Sequence, residues 1–482
     1  MNRTVLRTVL TFLTLFALTW NGFAQHPEAK RADRWYFGNR AGLDFSSGTA
    51  VAVIDGQLDS WESCASISDI DGNLLFYTDG DTIWDRNHNV MPNGTGLFGN
   101  CTPFGPNNSA TQGVIIIPRP KSDDLFHVFT VDCAENLGMK GMNYSVVDLS
   151  LNGGLGDVTV KNQFLFAPST EGMAATMNCT GDSVWVVGHD DKNRFYSYLI
   201  TEIGINSIPA ISIGGNVYNL FGQMKFSPNG KRFALDGYVY NFDFTEGKLL
   251  DSIFVNFGGY GLTFSPDSKK LYYSIGGGSI EQLDITFSNS ADIMASYQNV
   301  YHGISNDRLW GMQTANDNKI YITNVDTARI STIDFPNNDG AAAGFNLYSV
   351  DLNGRKSQFT LPSFIENYFD DSYEPGCDQE TEEEEEKSIT IPNTFTPDDD
   401  GINDAFNIEI SGYTSLTYAI YNRWGRLLKK GGIPISQPGT VQVWDGTTSG
   451  NRVPDGVYYY TLDLTDDKGD SETKKGFIQI IK

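Results

Sequence analysis

The sequence predicts an all-β protein, a seven-bladed β-propeller followed by a small immunoglobulin-like β-sandwich. Three observations predict it. The composition holds 50 Gly, 23 Tyr and 30 Phe, which suits many short strands joined by tight turns and not helical bundles. A two-strand unit recurs seven times between residues 33 and 370. After an acidic interruption, a last stretch of short strands resumes at 388.

The first residues have the pattern of an export leader. Arg3 and Arg7 give a positive start, Val9 to Trp20 is apolar except for three Thr, and Gly22 and Ala24 are the small residues that precede cleavage. The apolar stretch is shorter than the roughly 20 residues that a membrane-spanning helix needs. The expectation is a signal peptide over 1–24 and no transmembrane segment in the mature chain. The residue immediately after the cleavage point is Gln25 and not Cys, which argues against a lipid anchor.

The repeats come next, at Trp35, Leu74, Phe126, Val184, Arg232, Leu271 and Ile320, spaced 39, 52, 58, 48, 39 and 49 residues apart. Each pairs an aromatic and β-branched strand with a second strand that usually ends in an Asp-containing apolar triplet. The spacing falls in the WD40-to-kelch range of a four-stranded propeller blade. The turns agree: Phe226-Ser-Pro-Asn-Gly-Lys231 and Phe264-Ser-Pro-Asp-Ser-Lys269 place Pro where its fixed φ favours a turn. A sandwich array or a solenoid is the alternative. The absence of a proline-rich linker favours one closed ring over 33–373.

Residues 374–387 (EPGCDQETEEEEEK) carry eight acids and one Lys, a self-repelling linker. Residues 388–482 then alternate apolar and polar side chains over short strands, as half-buried strands require. Their motifs are Ile391-Pro-Asn-Thr-Phe-Thr-Pro397, Asp400-Gly-Ile-Asn-Asp404, Tyr421-Asn-Arg-Trp-Gly425, Trp444-Asp-Gly446 and Val453-Pro-Asp-Gly-Val-Tyr-Tyr-Tyr460.

In this order, those motifs resemble the gliding motility-associated C-terminal domain, the type B sorting domain of the type IX secretion system of Bacteroidota. The resemblance rests on Pro392, Asn393, Phe395, Pro397, Gly401, Asn422, Arg423, Trp424, Gly425, Trp444, Asp445, Gly446, Pro454, Gly456 and Tyr458. It implies export through the periplasm, recognition of the tail by the outer-membrane translocon, and release or retention at the cell surface. One departure is Pro397-Asp-Asp-Asp-Gly401, where the family has Pro-Asn-Gly-Asp-Gly; Asp399 replaces a turn glycine and points to a tighter or more metal-dependent loop. The phrases WYFGNRAGLDFSSG, ISDIDGNLLFYTDGDTIWDRNHNVMPNGTGL, YSVVDLSLNGGLGDV and LPSFIENYF likewise resemble the N-terminal region of many proteins with this tail. That likeness implies a location more firmly than an activity.

Chemistry is sparse. A net charge of −25 disfavours nucleic acid as a partner, and unaided docking on an anionic membrane. His26, His88, His127, His189 and His302 form no metal-ligand spacing, and there is no HExxH, GxSxG or phosphate-binding glycine loop. The five cysteines, Cys64, Cys101, Cys133, Cys179 and Cys377, form no CxxC and leave an odd thiol, with the pairing open. His189-Asp190-Asp191 reads better as a solvated turn than as a catalytic cluster. No cofactor is required.

The one metal suggested is Ca²⁺, at Asp398, Asp400, Asn403 and Asp404. Alternating oxygen ligands around a Gly fit a calcium loop, and an Asx-rich turn fits them too. Asp69, Asp71 and Asn73 are a weaker case, for which a hairpin turn is the simpler reading. Trp61 and Trp310 lie outside the repeat strands and are the rings expected to meet a glycan or peptide at the ring mouth. The expected function is therefore an exported, non-enzymatic, adhesin-like binding protein at the surface or in the medium, with an extracellular glycan or protein ligand and an association with adhesion or gliding. The alternative is a secreted polysaccharide hydrolase or lyase with its site at the same mouth.

Overall fold

A computed structural model describes residues 26–370 and 387–481, apart from 100, 102–107, 179, 216–220, 276, 399, 436–438 and 467–469. The leader, the acidic linker, Cys179, Cys377 and Asp399 lie outside the described residues. The chain divides into two units, Met1–Gly376 and Cys377–Lys482.

The first unit holds seven antiparallel sheets among the described residues, each a meander of three to five strands. The repeated pattern in the sequence marks the second and third strands of the later sheets, such as Val184–His189 and Arg194–Thr201. An inner strand precedes each pair: Ala65–Ser68, Val114–Pro118, Met173–Met177, Lys225–Phe226, Leu262–Phe264 and Leu309–Thr314. These inner strands pack one on the next, and this is the arrangement of a β-propeller.

Burial follows the radius. Met173–Met177 and Val184–His189 are buried at every residue, because each sheet is covered on both faces by its neighbours. The outermost strands, Asp157–Phe166, Lys248–Phe254 and Phe345–Asp351, are mostly open to solvent. Between the fourth and fifth sheets lie Trp185, Phe195, Phe226, Phe233 and Tyr240. Between the sixth and seventh lie Tyr272, Ile280, Met312 and Ile320. Face-to-face packing of successive sheets thus builds the core.

The ring closes through the end of the unit. The first sheet begins at Arg34–Phe37, and Trp35 packs edge-on against Tyr321 of the seventh sheet with centroids 5.6 Å apart. The chain after Phe345–Asp351 returns beside that first strand, where Asn39 N–H bonds the Lys356 carbonyl at 2.9 Å. Gly38 has a φ of +57° there, and a Cβ would stand 2.4 Å from the same carbonyl, so the close approach requires glycine.

Both ends of the unit then fill one end of the central channel. Ala29–Ala32 and Glu366–Phe369 are short 3₁₀ helices that pack together. Glu366 pairs at 2.5 Å with Lys225, and both are buried. Lys225 also donates to Gln313. Asn367 accepts from Met177 N–H at 2.7 Å and donates to the Pro228 carbonyl at 3.0 Å.

In the second unit a three-stranded sheet and a five-stranded sheet share one core. Gly456–Thr465 alternates outward and inward, with Tyr458, Tyr460, Leu462 and Leu464 turned to that core.

Candidate functional site at the propeller mouth

The open end of the channel lies at the start of the inner strands. Every sheet but the first sends a residue there, just before or within its inner strand: Glu62, Ser109, Glu171, Phe221, Tyr260 and Trp310, with Phe359 from the closing segment. With Ala134 and Glu135 they line a cavity of about 500 Å³. That volume suits a small ligand or one end of a larger one.

Backbone and amide hydrogen bonds stitch these residues around the ring. Glu62 N–H bonds the Asn108 carbonyl, Gln112 N–H the Glu171 carbonyl, and Gln223 N–H the Tyr260 carbonyl. Gly311 N–H bonds the Phe359 carbonyl at 2.9 Å, and Phe359 N–H bonds the Trp61 carbonyl at 2.8 Å. The Gln223 side-chain oxygen accepts from Met312 N–H at 2.8 Å and Leu262 N–H at 3.1 Å. Such buried amide contacts hold the rim rigid.

Three carboxyl groups face the cavity. Glu171 is buried, and one oxygen accepts from Ala134 N–H at 2.8 Å while the other accepts from the Thr111 hydroxyl at 2.9 Å. Tyr260 donates to Glu62 Oε1 at 2.5 Å. The Ser109 hydroxyl lies 3.1 Å from Glu62 Oε2 and 3.0 Å from Glu135 Oε1. One hydroxyl hydrogen cannot serve both carboxylates, and a proton on Glu62 satisfies both contacts. Burial first, and the Glu171 charge second, push the Glu62 carboxyl up to about 8. Burial likewise raises Glu171 to about 7.

Three rings also border the cavity. Tyr260 and Trp310 meet at 81° with centroids 5.3 Å apart, and Trp310 and Phe359 at 73° and 5.2 Å. Among the described residues lining the cavity there is no basic side chain.

Of the tryptophans singled out in the sequence, Trp310 lines the cavity and Trp61 does not. Trp61 is 47% exposed beside Phe359, outside the lining. Trp310 belongs to an inner strand, Leu309–Thr314, and not to a loop. Glu62, Glu171 and Tyr260 carry no local motif. The signal available was a polar or aromatic residue two or three places before the inner strands Ala65–Ser68, Met173–Met177 and Leu262–Phe264.

His189 is not in a solvated turn. It is buried against Phe195, with both ring nitrogens unpartnered, and burial holds it at about 4. Asp190 instead caps the turn, accepting from Lys192 N–H and Arg194 N–H, each at 3.0 Å. Asp69 Oδ1 accepts from Asp71 N–H and Asn73 N–H at 2.9 Å, a hairpin turn. Cys101 and Cys133 form a disulfide, and Cys64 is a buried free thiol.

In the tail, one carboxylate oxygen each of Asp398, Asp400 and Asp404 lies within 4.8 Å of the others, a spacing that suits one cation. Each also caps backbone: Gly401 N–H bonds Asp404 Oδ2 at 2.8 Å and Ile402 N–H bonds Asp400 Oδ1 at 2.7 Å. Asp400 N–H lies 3.4 Å from Asp398 Oδ1. Asn403 takes a φ of +55°, and its carbonyl accepts from Thr396 N–H. The loop therefore has turn chemistry of its own.

The motif residues of the tail are mostly architectural. Asn393 accepts at its carbonyl from Gln479 N–H, two residues after Ile391-Pro392 bring the chain alongside the last strand. Phe395 and Trp444 pack at 5.9 Å in the core, and Gly446, at φ +73°, lies so close to Phe395 and Pro397 that a Cβ would crowd them. Asn422 caps Trp424 and Arg426 N–H groups at 3.0 Å, with Gly425 at φ +77° completing the turn. Asp445 caps Thr447. Tyr458 bonds back to the Pro454 carbonyl at 2.6 Å, and Gly456 between them has φ +146°. Gly401, at φ +85°, has open space around it. Arg423 lies over Trp424, which is 79% exposed.

A propeller with a built mouth, joined to a β-sandwich whose motifs serve its own turns, defines an export-tagged all-β protein. Residues 389–480 match the CHU_C Type IX secretion signal domain, which assigns the chain to export toward the cell surface or the extracellular space. No curated protein matches the chain. Among solved structures, it is similar to a quinonprotein alcohol dehydrogenase-like protein from Bacteroides thetaiotaomicron at 14% identity, over 69% of this chain and 78% of that one, with a TM-score of 0.39. It is also similar to virginiamycin B lyase from Staphylococcus aureus at 11% identity, over 64% and 89%, with a TM-score of 0.35. Neither likeness carries anything about chemistry. Among the described residues, no helix is long and apolar enough to cross a membrane.

Proposed function

We propose that the chain is an exported binding protein which holds an extracellular glycan or protein ligand at the propeller mouth without converting it, as an adhesin does. The sandwich tail is its address to the secretion machinery. The observation that carries this reading is the cavity itself, lined by aromatic rings and by carboxyls already tied into hydrogen bonds. Both oxygens of Glu171 are engaged by the protein, so it holds the rim and is poorly placed to act on a substrate. For the tail, support comes from the exposed Trp424 and from the outward pair Tyr459 and Phe477, each about half-exposed.

A second reading, a polysaccharide hydrolase or lyase, has its own observation. Glu62 sits at about 8, so it holds a proton at neutral pH, while Ser109 links it to the exposed Glu135. A proton donor beside a carboxylate is the pairing that glycoside cleavage uses.

A glycan and peptide array probed with the intact chain separates the two, with the same wells assayed for released product. Saturable binding without product is expected. Product release abolished by Glu62→Gln would overturn the binding reading in favour of the enzyme.

A further inference from the structure

The box of rings and acids is specific about the group it would hold. We propose that the cavity at the propeller mouth takes its ligand by an ammonium group, bordered by the rings of Tyr260, Trp310 and Phe359 and faced by Glu62, Glu135 and Glu171. This names the ligand class for the binding reading above and rests on it.

The ring angles argue first. A flat sugar face stacks on one ring or on parallel rings. Here Tyr260, Trp310 and Phe359 stand at 81°, 73° and 58° to one another, with centroids 5.2–6.1 Å apart. Rings packed edge to face in this way offer no parallel pair for a flat sugar to stack between, and an aromatic face that borders the cavity attracts a cation through its negative quadrupole. Charge argues second. Three carboxyl groups line the cavity, with no basic side chain among the lining residues and a net charge of −25 on the chain. An anionic group would meet repulsion there, and only a cationic one gains from the acids as they ionise. The Phe221 ring, 57% exposed, stands at the entrance and leaves the mouth open to solvent.

Protons follow from the same geometry. The titratable groups facing Glu62 are Glu171, Glu135 and Tyr260, none of them cationic. A bound ammonium is thus the missing positive charge. It favours the ionised form of Glu62, and the proton held there leaves on binding. Affinity for a cationic ligand should rise as pH passes upward through the range in which Glu171 and Glu62 ionise.

Matched pairs test the proposal on the intact chain by calorimetry: choline against its uncharged isostere 3,3-dimethylbutan-1-ol, and glucosamine against glucose. The first pair reads a free quaternary amine and the second an amino sugar. The charged member of at least one pair should bind about tenfold or more tighter than its neutral partner. Glu62→Gln, which keeps an oxygen for Tyr260, should weaken that binding by about tenfold and flatten its pH dependence. Trp310→Ala should weaken it too, with the far-ultraviolet circular dichroism of both variants unchanged. Proton release should appear as a dependence of the measured heat on the buffer's ionisation enthalpy. Equal binding of charged and neutral partners, or no binding of either charged probe, would overturn the ammonium assignment. A neutral glycan bound equally well by wild type and Glu62→Gln would overturn it too, and would leave the binding reading standing. Turnover on the array would instead overturn the binding reading.

Discussion

His26, His127 and His189 are each held at about 4 by burial, and they make folding sensitive to acid. The folded chain refuses protons that the unfolded chain accepts near 6.5. Stability is therefore present above that value and lost as pH falls from about 6.5 toward about 4, on the order of 3 kcal/mol for each residue at the limit. Glu62 and Glu171 act in the opposite sense. Their folded values, about 8 and about 7, lie above the unfolded one, so their contribution is present at low pH and lost as pH rises through those values. A stability maximum between the two limbs is expected, read as the denaturant midpoint from pH 4 to 9. His189→Phe, which keeps the ring against Phe195 and removes two unpartnered nitrogens, should flatten the acid limb. An unchanged acid limb in that variant would show that the acid loss lies elsewhere.

At the scale of elements, the seam between Lys225–Phe226, Leu309–Thr314 and the closing helix Glu366–Phe369 rests on one buried ion pair. Lys225→Met strands Glu366 in a dry channel and should cost about 3–5 kcal/mol, measured by denaturant unfolding. Changing both residues to Met should recover most of that loss, because no charge is then left unpaired. If the double variant is as unstable as the single one, the pair is needed for shape and not merely for charge balance. The same seam shows why the sequence was legible only in part. Val184–His189 and its counterparts are covered on both faces, so they are apolar, long enough to see and repeated. The inner strands are as short as two residues, Lys225–Phe226, and one carries a Lys whose partners, Gln313 and Glu366, lie 88 and 141 positions away. No local pattern records such partners. For the same reason Trp310 could be picked out as a ring of interest, while Glu62 and Tyr260, 198 positions apart and joined by one hydrogen bond, could not. The tail was the easier half to read, since Asn422, Gly425, Asp445 and Gly446 each serve a turn within a few residues of themselves.

For the molecule as a whole, export falls to the second unit and, in the proposed reading, recognition to the first, and each unit has its own core. A chain ending at 387 is expected to keep the thermal unfolding of the propeller and to fail to reach the surface or the medium, as read by fractionating the cells. Normal export of that truncated chain would move the address elsewhere in the sequence. The channel adds a constraint of its own. Its far end is packed with Glu366, Tyr368 and Phe369, all buried, so the site is a blind well with a single opening. A polymer cannot be threaded through it. In the proposed reading a long glycan or polypeptide enters this well only by a terminus or a protruding side group, so the number of such groups that a matrix displays, and not its mass, would set how many copies it can hold.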